Sequence, residues 1–194
     1  SEYAVISQNA LVKIDPEISF DVAALFGCAV VTGAGSVVNT ANVSPGDSVA
    51  IVGLGGVGLN ALLASIASGA GLVVAIDPKE KKLEIASKFG VHKTFNTNME
   101  NCVDSILDFT GGGVNFSFET AGVPNALDLA YKITRRGGTT VVAGMPGPKS
   151  SITLSHLSIA AEERTIKGSY MGSCVPSRDI PRYINLYKNG KLPI

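Results

Sequence analysis

The sequence predicts a doubly wound α/β fold: a six-stranded parallel sheet with helices on both faces. Two observations carry that expectation. Short apolar runs alternate with helical segments along most of the chain, and the runs are too apolar to leave one face wet, as expected of strands buried on both sides. A third observation marks where such a sheet would bind a ligand. The stretch AIVGLGGVGLN, residues 50–60, places four glycines in six positions directly after the first apolar run.

Taken in order, residues 49–52 read as a strand, 57–67 as a helix and 72–76, rich in β-branched residues, as a second strand. Residues 79–89 follow as an amphipathic helix, then a short strand at 94–96, a helix at 101–109 and a strand at 115–118. The alternation continues with a helix at 125–134, a strand at 139–143, a helix at 154–161, a strand at 165–169 and a closing helix at 177–188. Parallel strands joined this way need right-handed crossovers.

Composition narrows the function. The chain has 194 residues, 45% of them hydrophobic, enough for one domain with a real core. Sixteen basic residues balance sixteen acidic ones, so no overall field draws it to nucleic acid or to an anionic membrane. Residues 22–46 and 48–76 carry no charge, yet Gly, Pro, Asn, Ser and Thr break both stretches, which argues against a membrane span. Three scattered cysteines, Cys28, Cys102 and Cys174, suggest a reducing compartment, and the cytoplasm is the expectation. The first residue is Ser rather than Met, which suggests processing or excision.

The glycines have a physical reading. Gly53 permits a tight turn out of the strand, Gly55 lets backbone approach a pyrophosphate, and Gly58 allows close packing of helix on sheet. The helix beginning near Gly55, with Gly56 and Val57 at its start, has unpaired N–H groups and a positive dipole end that suit an anion. Asp77 closes the second strand near the ~20-residue offset at which an acid accepts the adenosine ribose hydroxyls. It also stands ahead of Pro78, where it would cap a helix. A carboxylate there repels the 2′-phosphate of NADP, so NAD is the expected cofactor; Lys79, Lys81 and Lys82 act in the other direction.

With those residues in view, LFGCAVVTGAGSVVNTANVSPGDSVAIVGLGGVGLNALLASIASGAGLVVAIDPKEKKLEIASKFGV resembles the cofactor domain of the zinc-dependent alcohol dehydrogenases. These belong to the medium-chain dehydrogenase/reductase superfamily. The later blocks NFSFETAG, GGTTVVAGMPG and TIKGSYMGS fall where that family has its fourth, fifth and sixth strands. The resemblance implies a Rossmann domain that holds NAD beside a separate catalytic domain, with zinc binding the oxygen of a primary or secondary alcohol or an aldehyde.

It also implies residue roles. Cys28 matches a catalytic-zinc ligand, and Thr32 a residue beneath the nicotinamide. Val57 matches a contact on that same side, and Lys82 a lysine beside the ribose. Ala143, Ser169 and Met171 match positions whose backbone holds the carboxamide; Gly144 and Met145 lie beside them, near the ring. Val123 stands where some relatives place an arginine against the adenine. Cys28 is the sole zinc ligand the resemblance supplies, whereas a catalytic site needs three; His92, His156, Cys102 and Cys174 lack ligand spacing.

The resemblance further implies that residues 1–20 are the tail of a catalytic domain and 21–194 the NAD-binding domain with its hinge helices. SEYAVISQNALVKI reads as two short strands and SFDVAALFG as a hinge helix. The expectation is a fragment that binds NAD, lacks zinc and does not turn over alcohol alone. SSITLS, residues 150–155, matches an edge that pairs across the two-fold axis of dimeric relatives. Two alternatives stay open: a zinc-free NADPH-dependent quinone or enoyl reductase of the same superfamily, and a stand-alone dinucleotide-binding redox sensor.

Overall fold

The computed structural model describes residues 3–194. Six strands form one sheet: β1 (Ser48–Val52), β2 (Leu72–Asp77), β3 (Lys93–Asn96), β4 (Val114–Glu119), β5 (Thr134–Val142) and β6 (Thr165–Gly168). Every pairing is parallel, in the order β3-β2-β1-β4-β5-β6. The chain winds outward from β1 to β3, returns to the middle and winds outward again from β4 to β6. Where that direction reverses, the turns leaving β1 and β4 diverge and open a crevice at the carboxyl ends of the strands.

Side chains on β1 and β2 alternate between two apolar layers, which is why both strands read as unbroken apolar runs. Val49, Ile51, Val73 and Ala75 pack with Ala61 and Leu62 of α3 (Gly56–Ala67) and with Val30, Val31 and Ala34 of α2 (Ala29–Gly35). Ala50, Val52, Val74 and Ile76 pack with Ile106 of α5 (Cys102–Thr110) and Ala130 of α6 (Pro124–Lys132). Each large aliphatic side chain sealed this way contributes about 1.5–3 kcal/mol. The sheet therefore holds the crevice on a rigid floor. The remaining helices are α1 (Phe20–Phe26), α4 (Glu80–Ser87), α7 (His156–Glu162) and α8 (Pro176–Lys188).

Three departures from the sequence reading have physical causes. Helix α2 and the π-helical run Ser36–Ala41 that continues it are absent from the expected elements, because Gly33 and Gly35 read as breakers. Contact requires both: a Cβ on Gly33 would stand 2.7 Å from Asn60 Cβ, and one on Gly35 would stand 2.8 Å from Gly172 Cα. The helix expected to reach residue 134 ends at Lys132. Thr134 instead opens β5, its hydroxyl donating to the Ala130 carbonyl at 2.8 Å and lying 2.7 Å from the Ser117 hydroxyl.

The third departure is at the start of the chain. Residues 3–14 form no strand, only the 3-10 turn Gln8–Ala10; they pair with neither sheet edge, and an extended segment without a neighbour has no ladder to join. Ser1 and Glu2 of that expectation lie outside the described residues. No single helix among the described residues is long and apolar enough to cross a membrane; the first uncharged stretch bends by 43° between α1 and α2.

Candidate functional site

The turn from β1 into α3 is shaped by what surrounds each glycine. Gly53 has φ +96°, left-handed backbone that a side chain disfavours, and a Cβ there would stand 2.8 Å from Ala121 Cβ. At Gly58 a Cβ would collide with the Gly53 carbonyl and approach Thr120 Oγ1 to 2.7 Å. Gly55 differs, since nothing lies within 4 Å of its Cβ position; Gly56, which is exposed, meets only Ala29 Cβ at 3.4 Å. Gly53 and Gly58 are thus required by packing, whereas Gly55 and Gly56 leave open space above the start of α3.

Asp77 is buried at the end of β2. Its Oδ2 accepts the Leu54 N–H at 2.8 Å and lies 3.3 Å from Lys82 Nζ, while Oδ1 accepts the Lys79 N–H at 2.9 Å. The carboxylate therefore ties the turn after β1 to the entry of α4, and the lysine expected beside a ribose forms its ion pair. The helix-capping reading of Asp77 is not what forms: the N-cap of α4 is Lys79, with no side chain capping the helix, and Asp77 instead accepts the N–H of Lys79 from two residues earlier. The same side chain also lines a cleft of about 850 Å³ together with Gly53, Gly55, Lys82, Asn98, Val123 and Leu129.

A second cleft of about 480 Å³ lies across the turn and gathers eight residues expected on the nicotinamide side and around it, Cys28, Thr32, Val57, Ala143, Gly144, Met145, Ser169 and Met171, with the unexpected Tyr170 beside them. Thr32 is buried, and its hydroxyl lies 3.8 Å from Met171 Sδ. Met171, Gly172 and Ser173 all have positive φ, at 47°, 66° and 48°. Such strain persists where the surroundings hold it, and here Asn39 Nδ2 donates to the Gly172 carbonyl at 3.2 Å. The N–H groups of Ala143 and Ser169 donate to the carbonyls of Glu119, at 2.9 Å, and Val142, at 2.8 Å.

Two residues at or beside these clefts were not singled out from the sequence. Glu119 is buried; its Oε1 accepts the N–H groups of Ala121 at 2.8 Å and Gly122 at 2.6 Å. Burial pushes its carboxyl above the usual range, against the pull of those N–H groups. Thr120 lines both clefts, and its hydroxyl donates to the Gly53 carbonyl at 2.6 Å. Only the block NFSFETAG hinted at either, as a strand end.

The residues present fit a dinucleotide better than a metal. Two clefts joined at an open glycine turn match a two-part ligand with an anionic bridge. For zinc the donors fall short: Cys28 is exposed in the second cleft, and no group of three His, Cys, Asp or Glu among the described residues could hold a metal ion. A catalytic zinc needs three such ligands. His92 is committed elsewhere, its Nδ1 accepting the Val73 N–H at 3.1 Å, and Cys102 is buried.

Comparison with known proteins agrees with this geometry. A family model described as zinc-binding dehydrogenase matches residues 56–189. The chain is 39% identical over 196 aligned positions to alcohol dehydrogenase B of Mycobacterium tuberculosis, covering 99% of this chain and 52% of that protein. It is 38% identical over 196 positions to alcohol dehydrogenase-like 5 of Arabidopsis thaliana, covering 99% and 50%. Benzyl alcohol dehydrogenase from Acinetobacter calcoaceticus superposes with a TM-score of 0.90 at 33% identity, over 94% of this chain and 50% of that one. The chain spans about half the length of the curated relatives it matches.

Proposed function

Because this chain belongs to the zinc-binding dehydrogenase family, we propose that it is the NAD-binding part of a medium-chain alcohol dehydrogenase, with residues 21–194 as the cofactor domain. The observation that carries this reading is the open Gly55–Gly56 turn between the Asp77 cleft and the Cys28–Met171 cleft. NAD, when bound, supplies the hydride acceptor.

The chain's own residues would bind and orient it. Asp77 would accept the adenosine ribose hydroxyls, and its negative charge beside them disfavours a 2′-phosphate, which selects NAD over NADP. Backbone N–H groups at the start of α3 would face the pyrophosphate. Thr32 and Val57 would pack beneath the nicotinamide, with Gly144 and Met145 beside it. The carbonyls of Ala143 and Ser169 would accept from the carboxamide, and the Met171 backbone would complete its hold. Orientation of this kind lowers the entropic part of a transfer barrier. Cys28 would act as a metal ligand only where other polypeptide supplies further donors, so the chain alone binds dinucleotide and does not turn over alcohol.

We also propose self-association through residues 150–155. Residues 151–155 are extended chain without strand pairing, in which half-buried Ile152 and Leu154 alternate with exposed Ser151, Thr153 and Ser155, and the sheet's edge strand β6 is exposed. Unpaired edges invite pairing with a second copy. Light scattering of the chain and of Ile152→Lys tests this.

The function is tested on the polypeptide at its natural length, assayed with primary and secondary alcohols and with NAD and NADP. Alcohol-dependent reduction of NAD, abolished by Cys28→Ala, is expected. Quinone or enoyl reduction with NADPH that survives Cys28→Ala would support the zinc-free reductase instead. A native mass near 20.0 kDa would leave the redox sensor.

A further inference from the structure

The peptide that begins the glycine turn is gripped from both sides. The Gly53 carbonyl accepts the Thr120 hydroxyl at 2.6 Å, and the Leu54 N–H of the same peptide donates to Asp77 Oδ2 at 2.8 Å. Thr120 follows β4 and Asp77 ends β2, the two strands flanking β1. One peptide plane at the head of the turn is thus clamped by side chains from both neighbouring strands.

We propose that Thr120 is a positioning residue of the dinucleotide site, its hydroxyl fixing the Gly53–Leu54 peptide and through it the direction in which the start of α3 presents its N–H groups. The inference rests on the dinucleotide reading above. A peptide is planar, so holding its carbonyl and its N–H together leaves it one orientation. The turn has little stiffness of its own, because Gly53, Gly55 and Gly56 rotate more freely than residues bearing side chains. Donors already aimed at a ligand bind it better than donors that must be ordered on binding.

The hydroxyl is placed for this work. The Thr120 N–H already serves the Val52 carbonyl at 2.9 Å, so that acceptor has a partner, and the hydroxyl, 3.0 Å from Val52 O, makes its shorter bond to Gly53. Oγ1 also occupies the notch where a side chain on residue 58 would stand, 2.7 Å from that Cβ position. Among the described residues Thr120 alone lines both clefts, so the peptide it fixes lies where the bridge of a two-part ligand would cross.

The test compares the unaltered chain with Thr120→Val, which keeps the shape and loses the donor, and Thr120→Ser, which restores it. NADH is titrated by nicotinamide fluorescence, and ADP-ribose and adenosine by calorimetry. Thr120→Val is expected to weaken NADH and ADP-ribose about fivefold to tenfold and to leave adenosine, which lacks the phosphate bridge, within about twofold. Thr120→Ser is expected to match the unaltered chain. A purely structural role would lower the melting temperature without that ligand selectivity. NADH affinity that Thr120→Val leaves unchanged, or a loss shared equally by adenosine, overturns the proposal. Failure of the unaltered chain to bind NADH overturns the dinucleotide reading instead. If Thr120→Val does not fold, Thr120→Ala against Thr120→Ser gives the same comparison.

Discussion

Gly35 and Gly172 meet without room for a side chain on either: a Cβ on one would stand 2.8 Å from the Cα of the other. This contact seats the positive-φ turn Met171–Ser173 against α2 and so sets where Met171 lies in the second cleft. Gly35→Ala must push the turn away or distort α2. It is expected to destabilise the fold by about 1–3 kcal/mol, as overpacking does, measured by urea denaturation. Unchanged stability would show that the turn yields freely.

Asp77 ties the turn after β1 to the entry of α4 and lines the first cleft. Asp77→Asn weakens a bond that fixes the Leu54 N–H and, in the function proposed above, removes the charge that would oppose a 2′-phosphate. The affinity for NADH is expected to fall about tenfold to a hundredfold, and the ratio of NADPH to NADH affinity to rise. Parallel titrations of both nucleotides read the two effects; an unaltered ratio would remove Asp77 from cofactor choice.

Two buried carboxyls are expected to give opposite pH trends. Arg178 pairs with Asp179 at 2.7 and 2.9 Å and holds its carboxyl down at about 2. Its folded value lies below the unfolded 3.8, so its contribution is present above that pH and is lost as pH falls toward 2. Glu119 is the reverse: burial raises its folded value above 4.5, so its contribution is full below that pH and is lost as pH rises through the folded value. Glu119→Gln should therefore gain on the unaltered chain as pH rises above 4.5, and the deficit of Asp179→Asn should shrink as pH falls below 3.8. Urea midpoints across those ranges check both; parallel pH curves would contradict the assignment.

The metal prediction follows from the donor set. With Cys28 lacking companions among the described residues, the chain is expected to take up no stoichiometric zinc, and Cys28→Ala to leave its metal content unchanged. Metal analysis after dialysis against zinc reads this. A tightly held equivalent that Cys28→Ala removes would mean that ligands exist which the geometry does not bring together.

What the sequence made legible was local. Strands β1 and β2 follow from their unbroken apolar runs, and the glycine turn with Asp77 follows from spacing. Helix α2 was hidden because Gly33 and Gly35 lower helix propensity for a reason that lies on other elements, at Asn60 and Gly172. Thr120 and Glu119 were hidden in the same way. Their partners, Gly53 and the N–H groups of Ala121 and Gly122, become neighbours only when β4 lies beside β1 or when the turn after β4 folds back. The residues gathered in the second cleft came from the family resemblance, since nothing in their spacing joins Cys28 to Met171.

The most direct measurement is a titration of this chain with NADH, following nicotinamide emission and then displacing the ligand with ADP-ribose. The account predicts saturable binding of one NADH per chain, reversed by ADP-ribose, because both clefts and the turn between them belong to these residues. Emission that never saturates, or that ADP-ribose does not reverse, would contradict it.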